Sequence, residues 1–126
     1  MNKILIPISI GELYDKISIL QIKSERISDI EKLKNINNEL AFLNNFKKDV
    51  SINYELYKSL LEINKTLWDI ENNIREKERK KEFDDDFINL ARNVYITNDL
   101  RSQIKKTINL SYQSDIIEEK SYESYL

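Results

Sequence analysis

One glycine and one proline in 126 residues constrain this chain more than anything else in it. Tight turns draw on glycine for positive φ and on proline for a fixed φ, so a chain almost without either makes few of them. Long helices follow, rather than a sandwich or a barrel. At this length a single domain over residues 1–126 is expected, and roughly two-thirds of the unfolded surface can be buried on folding.

The apolar spacing agrees. Residues 3–8, KILIPI, read as an extended lead-in, because Pro7 pushes Ile6 out of helical geometry. SIGE (9–12) is a capping box, so a first helix begins at Ile10. Its residues Ile10, Leu13, Ile17, Leu20 and Ile27 form a heptad-like seam. A second face carries Asp15, Ile19, Ile22 and Arg26, with Glu12 at its edge. That face is either sandwiched between helices of the chain or meets another chain. A second box, SDIE (28–31), starts a helix near Asp29 with Ile30, Leu33, Ile36, Leu40, Leu43 and Phe46 on one stripe. KKDVSIN (47–53) reads as a loop. Leu56, Leu60, Ile63, Leu67, Ile70 and Ile74 then mark a third helix from about Ile52 to about Lys80, on the order of 40 Å long. After EFDDD (82–86), Asp84 or Asp85 caps a fourth helix that runs to about Leu110. Ile116, Ile117 and Tyr122 dock one more short helix. The expected fold is all-α: a four-helix bundle-like domain with a long third helix as its spine and a short C-terminal helix.

Charge and residue usage exclude several functions. Twenty Lys and Arg against 22 Asp and Glu leave a formal net charge of −2, which speaks against a nucleic-acid binder. There is no Cys and no His. Disulfides, Cys/His zinc sites and Ser-His or Cys-His catalysis are therefore excluded, while a carboxylate site for a hard cation stays open. No stretch approaches the ~20 apolar residues that span a bilayer. A cytoplasmic protein without a bound cofactor is expected.

The site-like feature lies in the fourth helix, in VYITNDLRSQIKK (94–106). At 100° per residue, Phe87, Leu90 and Ile108 fall within about 40° of Val94, and so do Asn98, Arg101 and Lys105. The core stripe turns polar half-way along. In the third helix Glu71 and Glu78 fall inside the stripe that contains Leu67, with Asn64, Trp68 and Arg75 on its shoulder. Either TND (97–99) breaks the helix and resets its phase, or the polar stripe is solvated, or these residues meet each other inside. An unpaired buried charge costs several kcal/mol. The third alternative therefore pairs Arg101 with a carboxylate, Glu71 being the natural partner. With no Gly or Pro near TND, a continuous helix is expected. Trp68 reads as a core or interface anchor before a stacking platform, and DDD (84–86) as a cap before a metal site.

Three segments together, ISIGELYDKISILQIKSERI, LWDIENNIREKE and FINLARNVYITNDLRSQIKKTIN, resemble a family of small bacterial and phage proteins known only as a domain of unknown function. Its pattern is GEL-x-DK-I-x-IL-x-IK, then LW-x-IE-x-x-IR, then LAR-x-VY-x-x-ND-x-R. The matching positions are Gly11, Glu12, Leu13, Asp15, Lys16, Lys23, Trp68, Glu71, Arg75, Arg92, Tyr95, Asn98, Asp99 and Arg101. The resemblance covers nearly the whole chain and implies no activity.

Two functions remain. The first is a non-catalytic interaction module that self-associates through Ile19 and Ile22 on the first helix, a homodimer being the simplest form. The second is a small anionic-ligand site or a metal-dependent phosphate-chemistry site. In it Glu12 and Asp15 hold a cation and Arg75, Arg92 and Arg101 grip the anion, with Lys16, Trp68, Glu71, Tyr95, Asn98 and Asp99 around them. ELYD (12–15) also resembles one half of the paired motif by which all-α nucleotide pyrophosphatases hold magnesium, but no second half is found.

Overall fold

The computed structural model describes residues 2–126. Its elements are α1 (Ile10–Arg26), α2 (Ile30–Asn44), α3 (Tyr54–Arg79) and α4 (Asp85–Ser111), with no strand among the described residues. This is the all-α, four-helix bundle-like domain the spacing predicts. None of the helices is long and apolar enough to cross a membrane.

Each helix starts on a side-chain cap. Ser9, Asp29, Asn53 and Asp84 accept the backbone N–H of Glu12, Lys32, Glu55 and Phe87, at 3.0, 2.9, 2.7 and 3.0 Å. Such caps satisfy donors that the first turn leaves without a partner. α3 and α4 both end in a left-handed residue, Lys81 (φ 57°) and Gln113 (φ 54°). The N–H groups of Glu82 and Ser114 return to the carbonyls of Lys77 and Asn109 at 3.0 and 2.8 Å. That is the Schellman pattern, closed here without the usual glycine.

α3 and α4 form an antiparallel hairpin. Its register is set by three pairs: Asn53 N–H on Tyr112 Oη, Arg101 on Asn64, and Lys77 on Asp84. α1 packs against all three other helices, whereas α2 lies along α1. The expectation of α3 as spine is thus corrected: α1, the helix with two packing faces, is the hub. Leu13, Tyr14, Ile17, Leu60 and Ile108 form the apolar centre. Ile22, on the other face of α1, is 1% exposed within the single chain, and Ile19 is partly exposed. Ile22 therefore needs no second chain to cover it.

The short C-terminal helix does not form; residues 114–126 are irregular. In that stretch the charged run 118–120 separates Ile116 and Ile117 from Tyr122, Tyr125 and Leu126, and no single helical face collects all five. Side-chain bonds hold the stretch extended across α4 instead, as described below.

Candidate functional site

α1 carries a second seam: Gly11, Asp15, Ser18 and Ile22, spaced 4, 3 and 4, all buried. It faces the polar stripe of α4. A Cβ on Gly11 would lie 2.7 Å from the Lys105 carbonyl oxygen and 3.0 Å from Asn109 Oδ1. The chain's only glycine is thus what allows α1 to touch the α4 backbone. At that contact the Gly11 N–H donates to Asn109 Oδ1 at 2.7 Å.

Polar side chains interlock along this seam. Asn64 Nδ2 donates to Asp15 Oδ1 and to Ser18 Oγ, both at 2.8 Å. Asp15 and Asn64 are each 4% exposed. Lys105 Nζ sits 2.5 Å from Glu12 Oε2 and 3.6 Å from Asp15 Oδ2. Arg101 donates to Asn64 Oδ1 at 3.4 Å. No buried side-chain nitrogen or oxygen among the described residues lacks a hydrogen-bond partner. The seam is therefore a satisfied network, as burial of polar groups requires.

Outside the seam, α4 and the tail segment enclose an open cleft of about 660 Å³, within the range of small-molecule sites. α4 supplies Tyr95, Asn98, Asp99, Arg101, Lys105 and Asn109, α1 supplies Glu12, and the tail supplies Glu118, Lys120, Tyr122 and Tyr125. Three residues of the tail, Glu118, Glu119 and Tyr125, fasten it to the rest of the chain. Glu118 accepts from Ser9 Oγ and from Asn109 Nδ2 (3.2 Å), Glu119 pairs with Lys106 (3.1 Å), and Tyr125 Oη donates to Asp99 (2.9 Å). The Tyr125 ring also meets the Tyr95 ring edge to face at 5.3 Å. Burial pushes the Glu118 carboxyl up. The Ser9 hydroxyl, its own backbone amide, the Lys105 charge and the Asn109 amide together outweigh that and hold it below the ordinary glutamate range. Hydrogen bonding to Asp99 raises the Tyr125 phenol.

The charges are matched unevenly. Glu12 and Asp15 neutralise Lys105, and Glu119 neutralises Lys106. Among the described residues, no carboxylate lies at ion-pair distance from Arg101 or Lys120. The model of a family described as a family of unknown function, DUF6165, matches residues 4–126. The chain belongs to that family. No curated protein and no solved structure matches it.

Within this DUF6165 chain the residues singled out from sequence divide into two groups. Glu12, Tyr95, Asn98, Asp99 and Arg101 line the cleft, with Asp15 directly behind it. Lys16 is exposed at the rim, 3.9 Å from Glu12. The other four lie elsewhere. Trp68 is half-buried beneath the Arg26 guanidinium, 6.0 Å from its ring centre. Arg92 is exposed. Glu71 pairs with Arg75 at 3.3 Å on the surface, which corrects the expected Glu71–Arg101 pair. The register explains it: Arg101 lies level with Asn64, and Glu71 is seven residues further along α3, about 10 Å away. α1 has ended by then, at Arg26, which pairs with Asp69 at 2.8 Å.

α4 is continuous through Thr97–Asp99, as expected, and Thr97 is buried. A cation role for Glu12 and Asp15 is taken by Lys105 of the chain itself. No group of three or more metal-ligating side chains occurs among the described residues. Sequence reasoning missed Asn109 as a site residue. It lies about 60° from Val94, just beyond the 40° window, at the next i+4 step after Arg101 and Lys105. It also missed Ser18, Glu118, Lys120 and Tyr125. The Gly-x-x-x-Asp-x-x-Ser spacing signals the first; no periodicity marks the other three.

Proposed function

We propose that the chain binds a small anionic ligand in the cleft between α4 and the tail. The observation that carries this reading is Arg101. Its guanidinium is half-buried, its recorded bond runs to the neutral Asn64 amide, and it borders a cleft that Lys120 also enters. A fixed cation of this kind, without a carboxylate partner, is suited to carboxylate or phosphate oxygens. Tyr95, Tyr122 and Tyr125 add flat apolar surface with hydroxyl ends, fit for a ring-bearing ligand.

The test is a thermal-shift screen of nucleotides, sugar phosphates and dicarboxylates on the wild type and on Arg101→Gln. A ligand held at 100 times its Kd stabilises the native state by about 2.7 kcal/mol through mass action. We expect at least one anion to raise the wild-type melting temperature, with the shift lost in Arg101→Gln. An unmoved wild type, or a shift kept by the variant, overturns the reading.

A further inference from the structure

Glu118 belongs to the exposed, irregular tail, yet two of the most buried polar side chains in the molecule hold its carboxylate. Ser9 is 1% exposed and Asn109 2%. Each is oriented by the first turn of α1. Ser9 Oγ already accepts the Glu12 N–H, so its own hydrogen is left to donate outward. Asn109 Oδ1 already accepts the Gly11 N–H, so its NH2 group points outward too. The Ile10 N–H is taken by Ser114 Oγ at 3.1 Å. The start of α1 thus does not meet an anion directly; it aims two side-chain donors that do. The Lys105 ammonium adds positive charge beside them.

A serine and an asparagine whose acceptors are both filled and whose donors converge on one carboxylate make a receptor for an oxyanion. It opens into the cleft, since Lys105, Asn109 and Glu118 all line it. We propose that this is an oxyanion site occupied in the resting protein by the chain's own Glu118, and that a phosphate or carboxylate group displaces Glu118 and frees the tail. The inference rests on the cleft being a ligand site and adds a second anion position, distinct from Arg101, with a competitor built in. The tail is suited to this role because side-chain bonds, not a helix of its own, hold it in place.

The experiment uses inorganic phosphate with the full chain, followed by calorimetry and by NMR of the Ser9 and Asn109 side chains and the amides of residues 116–125. Glu118→Gln removes the competing charge from an exposed residue and should leave the helical circular dichroism unchanged. We expect phosphate to bind Glu118→Gln about tenfold more tightly than wild type, a difference of about 1.4 kcal/mol. The Ser9 and Asn109 resonances should move in the variant, and the tail amides should become mobile when phosphate binds the wild type. Equal affinities, binding that leaves Ser9 and Asn109 unmoved, or no phosphate binding by the variant each overturn the inference. An anion that stabilises wild type but not Arg101→Gln, with Glu118→Gln indifferent, leaves the cleft reading standing and removes this one alone.

Discussion

The two ends of α4 handle charge in opposite ways. At the α3–α4 turn, Lys77 meets Glu82 at 3.0 Å and Asp84 at 2.9 Å, and Arg79 pairs with Glu76. These partners are near neighbours in sequence, and the carboxylates are about half exposed. The Arg79 hydrogen bond holds Glu76 low, and the Lys77 hydrogen bond holds Asp84 low. At the α1 end the partners come from distant segments, Asp15 and Asn64 are buried, and Arg101 and Lys120 are left over. Local matching of exposed charges contributes little stability and leaves nothing for a ligand. Long-range matching in a buried seam is costly to disturb, and its surplus cations face a cleft.

The sharpest way to break this contrast is Asp15→Ala. It leaves the Asn64 amide without its carboxylate and Lys105 with Glu12 alone, and should cost about 3 kcal/mol by chemical denaturation. Lys77→Met at the opposite end should cost far less. Similar losses from the two variants would erase the distinction. A glycine exchange comes next in size. Gly11→Ala forces α1 away from the α4 backbone and should destabilise by about 1–3 kcal/mol. Lys81→Gly, at the left-handed end of α3, should stabilise by about 1 kcal/mol. Opposite signs are the expected result, and equal signs would mean that the Gly11 contact is not tight.

The smallest effect concerns pH. The folded Glu118 carboxyl lies below its unfolded value, so the stabilisation it gives the docked tail is present above about pH 4.3. It is lost as pH falls through the lower, folded value. The charged groups beside Glu118 in the cleft are Lys105 of α4 and Glu12 of α1. A carboxyl-carbon NMR titration should place the Glu118 midpoint below ordinary glutamate, with the Ser9 and Asn109 resonances moving together with it. A midpoint at or above the ordinary value would remove the charge-assisted latch.

What could be read from the sequence, and what could not, follows from what periodicity encodes. A repeat of 3.6 residues tells which face of a helix a residue occupies. It placed Asn98, Arg101 and Lys105 on the side of α4 that turns toward the cleft, and the lack of turn residues gave α4 its continuity through Thr97–Asp99. Periodicity does not tell the level of one helix against another, and for that reason Glu71 was the wrong partner for Arg101: the face was right and the height was off by two turns. The caps Ser9 and Asp84 were legible because capping is a local matter, whereas the box at SDIE (28–31) pointed to Ser28 and the cap is its neighbour Asp29. The role of Gly11 was not, since it depends on what lies opposite. The tail was not legible at all, because its contacts are single side chains, Glu118, Glu119 and Tyr125, that reach α4 and the cap of α1 without a repeat.

The joint between α1, α4 and the tail also bears on the order in which the chain folds. Its contacts span long stretches of sequence: 109 residues from Ser9 to Glu118, 98 from Gly11 to Asn109 and 93 from Glu12 to Lys105. The α3–α4 hairpin closes through a turn of a few residues and can form as soon as both arms exist, whereas closing a long loop carries an entropic cost that only later contacts offset. On that entropic ground the cleft is expected to assemble after the α3–α4 hairpin. If the cleft is the ligand site proposed above, a chain that has not yet reached Glu118 lacks one wall of it, and binding would report that the tail has been made and docked.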